Sequence, residues 1–224
     1  MAPLPDFPWL HPLLSRLRIH LAAEPHPRDA AHDLGHILRV ARLAHRLAPE
    51  EGADTEVCVA AALLHDLVYR PKNHPESPRT AQMAAELVPL WCRETPGLAS
   101  RTDAIAGAVA SHSWSGGGTP ASPEAAVVQD ADRLEALGAI GIARVFATGA
   151  SFGAGLWHPE DPWGAARDPD DKAWSLDHFE RKLLKLADGM KTASGRRLAA
   201  GRQAAMLAYL EALRAELGAG AGPL

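Results

Sequence analysis

His36, His65, Asp66, Asp130 and Asp132 are the residues whose types and surroundings point most directly to chemistry. His36 lies in AHDLGHILRV, His65 and Asp66 in AALLHDLVY, and the two later aspartates in VVQDADRLEAL. His65-Asp66 follows CVAAALL, and Asp130 and Asp132 follow AAVV, runs too apolar for solvent-facing helices. Ionisable groups at such positions are costly to bury unless they are paired or bind a metal. Two imidazoles with two carboxylates form a mixed nitrogen and oxygen donor set, suited to an octahedral divalent ion with water completing the shell. This is not the thiolate or Cys/His set of a structural zinc. Each residue alone has a simpler explanation, and His32-Asp33 is a second His-Asp doublet in the same chain.

These residues need helices to bring them together, and the apolar spacing is helical almost throughout. Leu34, Ile37, Leu38, Ala41, Ala44 and Leu47 mark one face of a helix expected from near Asp29 to before Pro49. A second is expected from Thr55, as N-cap, through Leu67 to a stop at Pro71. Further helices are expected over Thr80–Val88, Arg101–Ser111, Pro123–Ala147, Leu176–Ala187 and Ser194–Leu217. No sustained alternation with turn signals marks a strand. The expectation is an all-α globule: one domain with a core over about 29–148 and a C-terminal helical extension over about 172–217. Three stretches interrupt it: RPKNHPESPR at 70–79, SWSGGGTPASP at 113–123, and a segment rich in Gly, Pro, Asp and Trp over 149–171.

The bulk composition narrows the function class. An apolar fraction of 47% suffices for a core, and a formal charge of −4 argues against a nucleic-acid coat. An anionic substrate must then be met by a local cation cluster or a metal. Cys58 and Cys92 lack CxxC spacing and read as buried small hydrophobes of a reducing compartment. No run approaches the roughly 18 apolar residues of a membrane span, and the N-terminus carries no signal-peptide pattern. A cytoplasmic protein with no membrane or nucleic-acid partner is expected, with its oligomeric state left open.

The order His, His-Asp, Asp on successive helices resembles the HD superfamily of metal-dependent phosphohydrolases. The local text agrees: HILRV at His36–Val40, LLHD at Leu63–Asp66 and ADRL at Ala131–Leu134. RPKNHPESP, SHSWSGG, QDADRLEALGAIGIAR and DHFERKLLKL resemble its YedJ/YpgQ-like bacterial branch, over about Asp29–Arg202. The resemblance implies an all-helical fold and one divalent ion (Mn, Mg, Co, Ni or Fe) held by His36, His65, Asp66 and Asp132. Asp130 and Asp132 are about 200° apart round a helix, so both should not face one ion. The superfamily's final ligand matches Asp132, leaving Asp130 as an alternative ligand or an outer partner.

The implied reaction is hydrolysis of a phosphoanhydride or phosphoester in a nucleotide, with nucleoside triphosphate cleaved to monophosphate and pyrophosphate. The alternatives are an HD phosphatase or phosphodiesterase for another phosphorylated metabolite, and a nucleotide-sensing module without catalysis. Asp66 fits a dual role, holding the ion and orienting proton transfer from water. Lys72 and Arg70 are the best-placed cations for phosphate, ahead of Arg39 and Arg133. His112 could approach the phosphate or protonate a leaving group, and His32, one turn before His36, could reach the substrate. Trp157, Trp163 and Trp174 could stack a base, but the better expectation is that they anchor their loop. The text after the doublet, HDLVYRP, lacks the Glu of some HD nucleotidases, and no GYP extension points to a cyclic dinucleotide esterase.

Overall fold

The computed structural model describes residues 4–24, 28–71, 74–113 and 118–218. Among the described residues there are nine α-helices and several 3-10 turns, and no strand beyond one isolated bridge, Gly155 to Trp174. The all-α expectation holds. The chain divides into two compact units: 1–28, 32–133 and 191–195 form the first, and 29–31, 134–190 and 196–224 the second.

The first unit holds α1 (Leu10–Ala22), α2 (Leu34–Leu47), α3 (Thr55–Leu64), α4 (Thr80–Arg93), α5 (Thr102–Ser111) and nearly all of α6 (Pro123–Leu134). α2 starts five residues later than the sequence suggests, because the Asp33 side chain accepts from the His36 backbone N–H at 2.8 Å and caps the helix. The second His-Asp doublet is thus partly a cap. α2 ends where Pro49 opens a 3-10 turn, closed by Gly52 in the left-handed region at φ 66°. For α3 the cap is Asp54 rather than Thr55, accepting from Glu56 and Val57 N–H at 2.9 and 3.2 Å.

Every residue from Val57 to Leu64 is buried, which makes α3 apolar all round and central. It packs against α2 and α5, and α4 packs against α5. α4 runs five residues past Val88, through Pro89. A proline inside a helix costs about 3 kcal/mol, and here burial of Trp91 and Cys92 beyond it offsets that cost. α1 was not foreseen. Its signal is Leu10, Leu13, Leu14 and Leu17 at helical spacing, with Leu13 and Leu17 fully buried.

The second unit contains α7 (Gly138–Ser151), α8 (Asp177–Arg181) and most of α9 (Ala193–Leu217). The single helix expected over Pro123–Ala147 is broken at 135–137, and Gly138 leaves the break with φ 72°, a conformation that disfavours side chains. Leu176–Ala187 is one short helix followed by 3-10 turns at Leu183–Lys185 and Ala187–Gly189. Phe146, Phe179 and Tyr209 cluster with ring centroids 6.1–6.4 Å apart. In the long connection, Arg167 makes two bonds of 2.6 and 2.8 Å to the buried Asp177. Trp163 lies 4.3 Å from the Arg214 guanidinium, and Trp174 stands edge-on to His158 at 5.3 Å. Among the described residues, no single helix is long and apolar enough to cross a membrane.

Candidate metal centre

His36 projects from the first turn of α2, His65 and Asp66 leave the C-terminal end of α3, and Asp132 sits in the last turns of α6. Three helices of the first unit therefore aim four donors at one point. His36 Nε2 lies 3.4 Å from Asp132 Oδ1 and 3.8 Å from Asp66 Oδ2. His65 Nε2 lies 3.5 Å from Asp66 Oδ2 and 3.9 Å from Asp132 Oδ1. Metal bonds of about 2.0–2.2 Å place neighbouring octahedral donors about 3 Å apart and opposite ones about 4 Å apart. The four donors span that interval. His36, His65 and Asp66 offer ligand atoms all within 4.8 Å of one another, so the group could hold a divalent ion.

The two imidazoles are buried, each with 1% of its side chain exposed, whereas Asp66 and Asp132 keep 19% and 25%. The carboxylates thus form the open side. His65 Nδ1–H donates to the Ala62 carbonyl at 2.8 Å, which fixes the tautomer with the lone pair on Nε2. That Nε2 is buried and accepts no hydrogen bond among the described residues. An unsatisfied buried acceptor costs about 1–3 kcal/mol, and a cation at this point removes the cost. The donor set fits a divalent ion.

Burial pushes the His65 imidazole from about 6.5 down to about 4; Asp66 and Asp132 oppose the shift, and His112 and His36 reinforce it. Burial would raise the Asp66 carboxyl, but His65, His36, His32 and His112 around it hold it well below the usual range. Asp132 is held low in the same way, against burial, by a hydrogen bond from His36 and the charges of the other histidines. Between about pH 6.5 and about pH 4 the unfolded chain takes up a proton at His65 that the native state refuses. Stability of the metal-free protein is therefore fully present above about pH 6.5 and is expected to fall as pH drops through that window. Thermal melts of metal-free wild type should show this decline, and His65→Gln should flatten it. An equal decline in the variant would contradict the assignment.

The other expected residues fall into distinct places. His112 is buried, its Nδ1–H donates to the Val109 carbonyl at 2.6 Å, and its ring stands edge-on to His65 at 4.9 Å. His32 stands edge-on to His36 at 5.9 Å and lies 5.9 Å from the Tyr69 ring. These histidines join His36 and His65, whose rings are 5.3 Å apart, in a row of imidazoles. Arg70 pairs with Glu76 at 3.4 Å and donates to the Tyr69 carbonyl at 2.8 Å. Lys72 lies outside the described residues.

Asp130 turns away from the donor cluster. It is fully buried and accepts from the N–H groups of Lys191 and Thr192 and from Thr192 Oγ1, at 2.7–3.0 Å. A Cβ on Gly195 would sit 2.4 Å from its Oδ2, so only glycine fits there. The sequence reading missed Glu24, Arg28 and Tyr69, which gather behind the Asp66 turn. Glu24 and Arg28 have i,i+4 spacing, but nothing in that spacing says what the pair holds.

Helices that converge on a His, His-Asp, Asp cluster define a class, and the comparisons with known proteins agree. Residues 33–137 match the HD domain family. The chain is 32% identical over 195 residues to YpgQ of Bacillus subtilis strain 168, covering 84% of this chain and 86% of that one. The crystal structure of Bacillus subtilis YpgQ in complex with ADP superposes with a TM-score of 0.70 at 30% identity, covering 95% of this chain and 96% of that one. An HD-superfamily hydrolase from Bacillus thuringiensis gives 0.68 at 29% identity, covering 94% and 97%.

The chain belongs to the HD superfamily, as a YpgQ-like member. It is an enzyme of the hydrolase class that this superfamily comprises.

Proposed function

We propose that this enzyme hydrolyses a phosphoanhydride or phosphoester bond in a nucleotide, with nucleoside triphosphate cleaved to monophosphate and pyrophosphate as the leading reaction. The observation that carries the proposal is that His36 Nε2 and His65 Nε2 each lie 3.4–3.9 Å from both Asp66 and Asp132, with the two carboxylates on the open side. The ADP bound by Bacillus subtilis YpgQ supports a nucleotide as the ligand.

His36, His65, Asp66 and Asp132 would hold the ion, and Mn, Mg, Co, Ni or Fe all accept such donors. When bound, a divalent ion acidifies a coordinated water and polarises a phosphoryl oxygen. Asp66 has two oxygens, so one can hold the ion while the other accepts the proton of the attacking water. Water adds to the α-phosphorus, the bond to the α–β bridging oxygen breaks, and pyrophosphate departs. His112, whose Nδ1–H is held by the Val109 carbonyl, would turn Nε2 to the phosphate or the leaving group. His32, whose ring stands 5.9 Å from that of His36, would reach the substrate. No Ser-His-Asp nucleophile is needed, and no covalent intermediate is implied.

The test supplies Mn, Mg, Co and Ni in turn, offers nucleoside triphosphates and simple phosphate esters, and separates the products. Equal release of monophosphate and pyrophosphate, dependent on metal, is the expected result. Inorganic phosphate as the sole small product from a triphosphate would exclude the leading reaction. Turnover of esters without nucleotides would move the assignment to another phosphorylated metabolite. Tight nucleotide binding without turnover under every metal would identify a sensor.

A further inference from the structure

Behind the Asp66 turn lies an ion pair that belongs to none of the donors described above. Arg28 Nε and Nη2 donate to the two carboxylate oxygens of Glu24 at 2.6 and 2.8 Å. Nη2 also donates to the backbone carbonyl of Asp66 at 2.6 Å, and Nη1 to that of His32 at 3.2 Å. The guanidinium lies 5.3 Å from the Tyr69 ring. The pair is nearly buried, with 8% and 10% of the side chains exposed.

One carbonyl further along, His20 Nε2–H donates to Leu67 O at 2.7 Å, and its ring packs edge-on to Trp91 at 5.3 Å. His20 and Arg28 therefore satisfy the carbonyls of Leu67 and Asp66, just past the end of α3, and Glu24 orients Arg28. All three precede the residues matched to the HD domain.

A nearly buried ion pair contributes little net stability, because desolvation of both charges opposes their attraction. What such a pair supplies is position. Arg28 reaches both Asp66 O and His32 O, the latter four residues before His36. It therefore ties the turn that carries Asp66 to the segment that leads into α2.

We propose that Arg28, oriented by Glu24, is a positioning residue that fixes the His65-Asp66 turn for metal binding, so that metal affinity depends on a segment outside the HD-domain match. This rests on the metal reading proposed above. Partners one step behind the ligands typically contribute 10–100-fold to metal affinity.

The experiment measures Mn binding by calorimetry, and the melting of the metal-free protein, for wild type, Arg28→Gln, Arg28→Lys, Glu24→Gln, Asp66→Ala and Trp9→Phe. Trp9→Phe removes the bond to Glu56 made just before α1 and serves as a control for destabilisation away from the turn. Arg28→Gln is expected to weaken Mn binding at least about tenfold while still melting cooperatively. Arg28→Lys, which keeps the charge but lacks the fork that spans Glu24 and Asp66 O, should also weaken it. Glu24→Gln should have a smaller effect in the same direction.

Wild-type Mn affinity in Arg28→Gln or in Arg28→Lys would overturn the inference, as would an equal loss in Trp9→Phe. If Arg28→Gln does not fold, Arg28→Lys decides on the same criterion. Asp66→Ala separates the two layers. If it binds Mn as wild type does, the metal reading itself fails; if it loses Mn while both Arg28 variants retain it, only the positioning role fails.

Discussion

Asp66→Asn is expected to lower kcat/KM by on the order of 10³-fold or more, because under the proposed mechanism one substitution removes a metal donor and a proton acceptor together. The side chain keeps its size and its place at the end of α3, so the loss should not come from unfolding. Asp66 Oδ2 lies 3.5 Å from His65 Nε2 and 3.8 Å from His36 Nε2, which is the spacing of a shared ion. An amide oxygen is a weaker, uncharged donor and cannot take a proton from water at neutral pH.

A second readout makes the expectation independent of turnover. A ligand that binds only the native state raises stability by RT ln(1 + [L]/Kd), about 2.7 kcal/mol at a hundredfold excess over Kd. Wild type should therefore melt higher as Mn is added, and Asp66→Asn should show little or no rise at the same concentration. A variant that keeps both the Mn-induced rise and its activity would remove Asp66 from the ligand set.

The donor cluster was legible because its residue types are expensive where they occur. His65 and Asp66 end an α3 that is buried from Val57 onward, and a polar pair at that point has to serve something. Helical angle said only that Asp130 and Asp132 should not both face one ion, and the resemblance of ADRL to the superfamily's final ligand favoured Asp132; the structure turns Asp130 toward Thr192 while Asp132 faces the histidines. The contacts that hold the cluster were not legible. Arg28 meets Asp66 across 38 residues and His20 meets Leu67 across 47, and a carbonyl as partner leaves no mark in the sequence. Element boundaries failed where tertiary burial outweighed local preference. α4 continues through Pro89 because Trp91 and Cys92 are buried beyond it, whereas α6 stops although the apolar text runs on to Gly138.

Asp130→Ala is expected to be the most destabilising single change near the site, by several kcal/mol, because it leaves a set of buried donors without their shared acceptor. The carboxylate has no exposed surface and accepts two backbone N–H groups and one hydroxyl, all from Lys191 and Thr192. Alanine leaves those donors without their acceptor, at about 1–3 kcal/mol for each one that water cannot reach. Asp130→Asn should cost less than Asp130→Ala, since its amide oxygen can still accept from Thr192 while its NH₂ opposes the other donors. Because Asp130 and Asp132 share one helix, the loss should reach the donor cluster indirectly. Activity should fall together with the melting temperature and recover toward wild type at low temperature or in stabilising osmolyte. Asp66→Asn should show no such recovery. An Asp130→Ala protein that melts within a few degrees of wild type would mean that the segment at Lys191–Thr192 is held by something other than this carboxylate.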